Sequence, residues 1–203
     1  MLKYVHTSWL HFVLVYLAVM LDGGIALHFA PILFKTPMSA SPYLSLIIMM
    51  MPILTGTDSQ MKGRWLYIAA FLGGLLFDIS YSGIIGISMI GFPLTVWAAS
   101  KLQTYLSHNF LSSMAVWFVS MSLYLVFDYA AFGIINLTNL NFSEFIMFHM
   151  FPTLIVNLLI LVVIYGIMNY LYHATRQPDV SAYNVDQRDL NMRMTGKSRS
   201  TRL

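Results

Sequence analysis

Cysteine is absent from the 203 residues, which excludes disulfides and thiolate metal sites outright. Charge is scarce as well. Lysine, arginine, aspartate and glutamate make up 9% of the chain, whereas a soluble domain carries about 25%. So few charges cannot cover a surface that faces water. No glycine-rich phosphate loop and no zinc-ligand spacing occurs, so no cofactor is expected and nucleic acid is not an expected partner. What is present is apolar: 58% of the residues are hydrophobic and the mean hydropathy is +0.71. The solvent of this chain must be largely lipid, and the chain reads as an all-α polytopic membrane protein.

A crossing helix needs about 20 apolar residues. The first run, "SWLHFVLVYLAVMLDGGIALHFAPILF", has 27. It exceeds a signal-peptide core and lacks a small-x-small cleavage site, so it is expected to stay as the first span. Its "LDGGI" is the expected break, since paired glycines loosen a helix. A second run covers Ser39 to Gly56. From Met61 to Lys101 there are 41 residues, too many for one helix and enough for two joined tightly. Their turn should fall near Tyr81, in "DISYSG", where Asp, Ser and Gly suit a turn. A fifth run extends from Leu111 to Leu137 and a sixth from Phe145 to Tyr172. Six spans are expected within residues 1–172, with a tight outer hairpin between the third and fourth.

Positive charge orients the bundle. With the N-terminus inside the cell, Lys3, Lys62, Arg64, Lys101 and the six cations of the tail all fall on the cytoplasmic side, and only Lys35 falls outside. The tail, residues 173–203, holds six Lys or Arg and three Asp, hence +6 − 3 = +3, the whole net charge of the chain. Its low hydrophobicity predicts a disordered cytoplasmic segment that either fixes topology or touches anionic lipid or a partner.

Three acids lie in or beside the apolar runs. Asp22 falls near mid-depth, and Asp78 and Asp128 fall in the outer half. His28 and His149 share that half, with Lys35 just beyond. An ionisable group at membrane depth costs at least ~2.5 kcal/mol, so these groups either form an outward-facing polar pocket or pair as packing contacts between helices. Asp78 sits where the third helix turns back, so its oxygens are placed to accept free N–H groups at the start of the fourth. "LLFDISYSGII" and "LVFDYAAFGII" agree at six of eleven positions, which raises the possibility of equivalent settings for Asp78 and Asp128.

Enzyme readings find little support. A membrane aspartyl protease would want Gly-x-Gly-Asp where "GLLFD" stands. "GIS" at Gly86 to Ser88 lacks the next Gly of a rhomboid-type motif. Haem held by His28 and His149 would rest on two isolated histidines. No catalytic residue and no metal site is expected. Gly73, Gly74, Gly83, Gly86 and Gly91 read as close helix contacts.

The segment "FLGGLLFDISYSGIIGISMIGFPLTVWAASKL" resembles the MreD family of bacterial rod shape-determining membrane proteins. Gly74, Leu75, Asp78, Gly83 and Gly86 stand where the family pattern places a Gly-Leu pair, an Asp and a Gly-containing second helix. The resemblance covers roughly Arg64 to Leu102. It implies a non-catalytic scaffold subunit of the cell-elongation machinery in the bacterial cytoplasmic membrane. It also implies MreC as partner and, through MreC, a RodA-type glycosyltransferase and a class B penicillin-binding protein. The MreD fold is also similar to the substrate-binding component of energy-coupling-factor vitamin transporters, which supplies a rival. A small channel or proton-coupled carrier using Asp22 and Asp128 is a third reading.

Overall fold

The computed structural model describes residues 7–58, 63–137 and 141–174. Every regular element among them is helical: α1 Thr7–His28, α2 Ala30–Leu33, α3 Leu44–Leu54, α4 Gly63–Phe77, α5 Ile87–Gln103, α6 Phe110–Ile134, α7 Phe142–Phe145 and α8 Phe151–Ala174. A π-helical turn, Asp78–Ser82, extends α4, and a second, Ile146–Met150, joins α7 to α8. Lys3, Lys62 and the tail beyond Ala174 lie outside the described residues.

Four helices are long and apolar enough to cross a membrane: Ser8–His28, Arg64–Ser82, Phe110–Ile134 and Phe142–Ala174. α5 has 17 residues and α3 only 11. At a rise of about 1.5 Å per residue α3 is roughly 16 Å long, half the thickness of the hydrocarbon core.

α3 can be short because it never meets lipid. It packs against α1, α4, α5, α6 and α8, and all eleven of its residues are buried. The Met triplet and its Ile and Leu neighbours form the axis of the hydrophobic core. Both ends of α3 are met by protein. Asp22, Thr153 and Asn157 receive the backbone N–H groups around its start. At its finish the Ser113 hydroxyl donates to the Leu54 carbonyl at 2.8 Å and the Thr55 hydroxyl to that of Met51, also at 2.8 Å. A helix end buried without such partners would leave orphan polar groups.

Polarity is turned inside out. Ser113, Ser120, Thr153 and Asn157 are 0% exposed, while Leu159 and Val163 on α8 are 64% and 72% exposed. Water does not permit that distribution; lipid requires it.

Contacts order the two ends. Phe12 meets Trp65 and His11 meets Tyr172 at the end where α1 and α4 begin and α8 finishes. Asp22, Tyr43, Tyr81 and Asp128 gather at the other. Arg64 and Lys101 therefore lie opposite Lys35.

Two expectations change. "LDGGI" does not break α1, which runs through to His28. There the Tyr81 hydroxyl accepts from the Gly23 N–H at 3.0 Å and donates to the Val19 carbonyl, bridging the loosened turn from outside. A Cβ on Gly23 would lie 2.6 Å from that oxygen, so glycine is what lets the tyrosine in. Tyr81→Phe is expected to lower stability by about 1 kcal/mol, one hydrogen-bonding group lost, read as a lower melting temperature in detergent. Unchanged melting would mean that α1 closes its own ladder there.

The second change concerns the repeat. Asp78 lies in a π-turn and is fully buried, whereas Asp128 lies within continuous α6 and is half-buried. Shared letters do not give shared settings, because α6 continues to Ile134 and closes only at Asn136, in the left-handed conformation at φ +56°.

Candidate functional site

The described chain turns from α4 into α5 within the family-like segment. Asp78 opens the π-turn and Gly83 closes it, the Gly83 N–H donating to the Asp78 carbonyl at 3.0 Å. Gly83 has φ +65° and Gly86 φ +123°, conformations that side chains resist. The chain thereby returns with the start of α5 against the Asp78 carboxylate. Oδ1 accepts from the Ser88 N–H at 2.9 Å and the Ser82 hydroxyl at 3.3 Å, and Oδ2 from Gly86 at 2.8 Å and Met89 at 3.1 Å. The aspartate is a cap supplied by the preceding helix, using both oxygens on donors that have no intrahelical partner.

Asp22 does the same at α3. Its oxygens accept from Leu44 at 2.6 Å and Ser45 at 3.0 Å. Asn157 completes that start. Its Oδ1 accepts from the Tyr43 N–H at 2.6 Å, and its Nδ2 donates to the carbonyls of Ser41 and Thr153 at 2.7 and 2.8 Å. Asn157 went unread in the sequence, though a lone amide inside "TLIVNLLILVV" is the kind of costly polar group that signals a role. Tyr81 and Ser113 carried no comparable signal, since Tyr and Ser are ordinary in membrane helices.

A cavity of about 330 Å³ opens between these caps, lined by Asp22, Tyr43, Tyr81, Ser82, Ser88 and Asp128 among others. Asp78 sits one step behind the wall, bonded to the backbone of Ser88. Of the six polar groups expected to meet, the structure brings Asp22 and Asp128 to one cavity and leaves His28, Lys35 and His149 away from it. His28 is six residues after Asp22, about 120° around the helix, and is exposed with its ring edge-on to Phe29 at 4.9 Å. Lys35 is exposed beyond α2. His149 lies in the second π-turn, half-buried, its ring 5.8 Å from Phe145. Among the described residues no group of three or more His, Asp or Glu is placed to hold a metal ion.

The glycines of this hairpin divide into two kinds. A Cβ on Gly74 would run into the backbone carbonyl of Ser88 and lie 2.8 Å from the Met89 Cα; one on Gly91 would press the rings of Tyr124 and Phe127 at 3.0 and 3.1 Å. Gly73 faces the flexible Met49 side chain and Val15. Gly83 and Gly86, read from sequence as helix contacts, have open space around them. Their requirement is backbone conformation. Leu75 is half-buried.

The sequence model of a family described as rod shape-determining protein MreD matches residues 5–175, a range that contains every described residue. The chain belongs to the MreD family. No curated protein and no solved structure matches it. MreD proteins are bacterial membrane proteins of rod-shape determination, structural rather than known as enzymes, and this chain has its role there. The stretch that resembles the MreD pattern spans the α4–π-turn–α5 hairpin: Asp78 caps α5, Gly74 admits its backbone, and Gly83 and Gly86 make the turn between them.

Proposed function

We propose that this MreD protein is a non-catalytic scaffold that crosses the bacterial cytoplasmic membrane six times and holds MreC. Through MreC it would serve the RodA-type glycosyltransferase and the class B penicillin-binding protein of cell elongation. The family match over residues 5–175 carries the reading. It is supported by the use of two acids, Asp22 and Asp78, as helix caps, which leaves neither free for acid–base chemistry. Both termini are proposed to lie in the cytoplasm, a reading supported by Arg64 and Lys101 sharing one end of the bundle while Lys35 takes the other. In this topology the tail, residues 173–203, belongs to the cytoplasmic side. Asp22, His28, Lys35, Asp128 and His149 are not proposed to form one site.

The test is co-expression of the tagged chain with MreC and capture from solubilised membranes. Stoichiometric MreC is expected, with no retained small molecule; absence of MreC in the capture rejects the scaffold. Because the native chain lacks cysteine, a single cysteine at Ser80 is expected to react with a membrane-impermeant maleimide from outside, and one at Ser107 only after permeabilisation. The reverse pattern rejects the topology. The outer cavity of about 330 Å³ favours a second reading, the substrate-binding component of a vitamin transporter. Retention of a vitamin and of an ATPase-bearing partner would select it.

A further inference from the structure

The cavity at the outer end has a lining that scaffolding alone does not require. It contains two carboxylates, Asp22 and Asp128, and no Lys, Arg or His. Five aromatic rings also line it: Phe34, Tyr43, Phe77, Tyr81 and Phe132. Tyr43 and Phe77 stack at 5.6 Å, and Tyr81 meets Phe77 at 5.0 Å, so these three rings form one aromatic stretch of the wall.

The two acids differ in what already satisfies them. Asp22 has an N–H on each oxygen, from Leu44 and Ser45, and the positive end of α3 faces it. Asp128 has no hydrogen-bond donor and no cation among the described residues. It stands six residues before the end of α6, away from any helix start. A carboxylate at membrane depth is held by a counter-charge or a polar cavity, and the protein supplies this one with only the cavity.

We infer that this cavity binds an organic ammonium group, with Asp128 as its counter-ion and the aromatic wall against its apolar body. Aromatic faces attract a cation most strongly where water is excluded. The volume is at the small end of ligand pockets, about 300–1,000 Å³, and suits an amine of modest size. A bare metal ion fits poorly, since hard cations ask for about six oxygens and a single carboxylate is free. An anion would meet no cation, and a neutral ligand would leave Asp128 unpaired. The ammonium can come from an aminophospholipid headgroup or from a soluble amine. The inference does not rest on the scaffold reading.

The test uses the full-length protein in dodecyl maltoside. Phenethylammonium and its neutral isostere 2-phenylethanol are the soluble probes; lysophosphatidylethanolamine and lysophosphatidylglycerol are the lipid probes. Binding is read by native mass spectrometry and by thermal shift. At least one ammonium probe is expected to bind about tenfold or more tightly than its counterpart, and Asp128→Asn is expected to abolish the difference. Asp128 has no internal hydrogen bond to lose, so that variant should fold; if it does not, the comparison of ammonium with neutral probe on the native protein decides. Preference for the lipid pair alone, the soluble pair alone or both supports the site and names its source. No binding, equal binding within both pairs, or a preference that survives Asp128→Asn overturns it. MreC capture is a separate measurement, so the two readings can fail independently.

Discussion

Asp78→Ala is expected to prevent the protein from accumulating folded in the membrane. The substitution removes the acceptor for the Gly86, Ser88 and Met89 N–H groups at once. Each buried donor left without a partner costs about 1–3 kcal/mol, so the loss should reach about 3 kcal/mol or more, a large share of the stability of an ordinary domain. Asp78→Asn separates charge from geometry. Each oxygen of the carboxylate serves two donors, and an amide retains one oxygen. Its NH₂ would face the second pair of donors as a donor itself. Asn commonly caps a helix as well as Asp does, but here it should give an intermediate variant, destabilised by about half as much as Ala. Melting temperature in detergent and abundance in the membrane should rank Ala below Asn below the native protein. An Asn variant as stable as the native one would show that a single oxygen suffices.

Gly74→Ala should be nearly as damaging, although it adds one methyl group. The obstacle is the backbone of Ser88 and Met89, which cannot rotate aside as a side chain can. Overpacking of this kind costs about 1–3 kcal/mol, and here the upper end is expected. Gly74 lies in the last turn of α4 and Asp78 four residues on, at the start of the π-turn that extends it, and both act on Ser88 and Met89. Moving α5 away from a new Cβ would also pull its N–H groups off the carboxylate. The double variant Gly74→Ala with Asp78→Asn should therefore fall short of the sum of the single losses. Strict additivity would sink the shared-contact account. Gly86→Ala makes the contrast: with open space around it but φ +123°, it should cost about 1–2 kcal/mol through backbone strain alone.

The hairpin was the most legible part of the chain because its signals are local. Asp78, Ser80, Ser82 and Gly83 announce a turn within six residues, and the observed turn runs a few residues further, to Gly86. The polar site around Asp22 and Asp128 was less legible. Counting along helices put Asp22 near mid-depth and Asp128 in the outer half, whereas both line one cavity. Counting also says nothing about rotation, and rotation is what sends His28 away from the cavity. The same blindness merged the glycines into one class. Gly74 and Gly86 look alike in the chain, and only the position of α5 separates a close approach from a strained turn.

Composition determined the solvent and the helical class, because a backbone in lipid must satisfy its own hydrogen bonds, and the order of apolar runs and cations along the chain determined the bias of cations toward one end. It could not determine that the second apolar segment becomes an 11-residue axial helix. That helix is tolerable only because Asp22, Ser113 and Asn157 arrive at its ends from α1, α6 and α8. Those partners are separated from it by 22, 59 and 114 residues of chain, and which helix faces meet across such distances is settled by packing of the whole bundle, which no local pattern encodes.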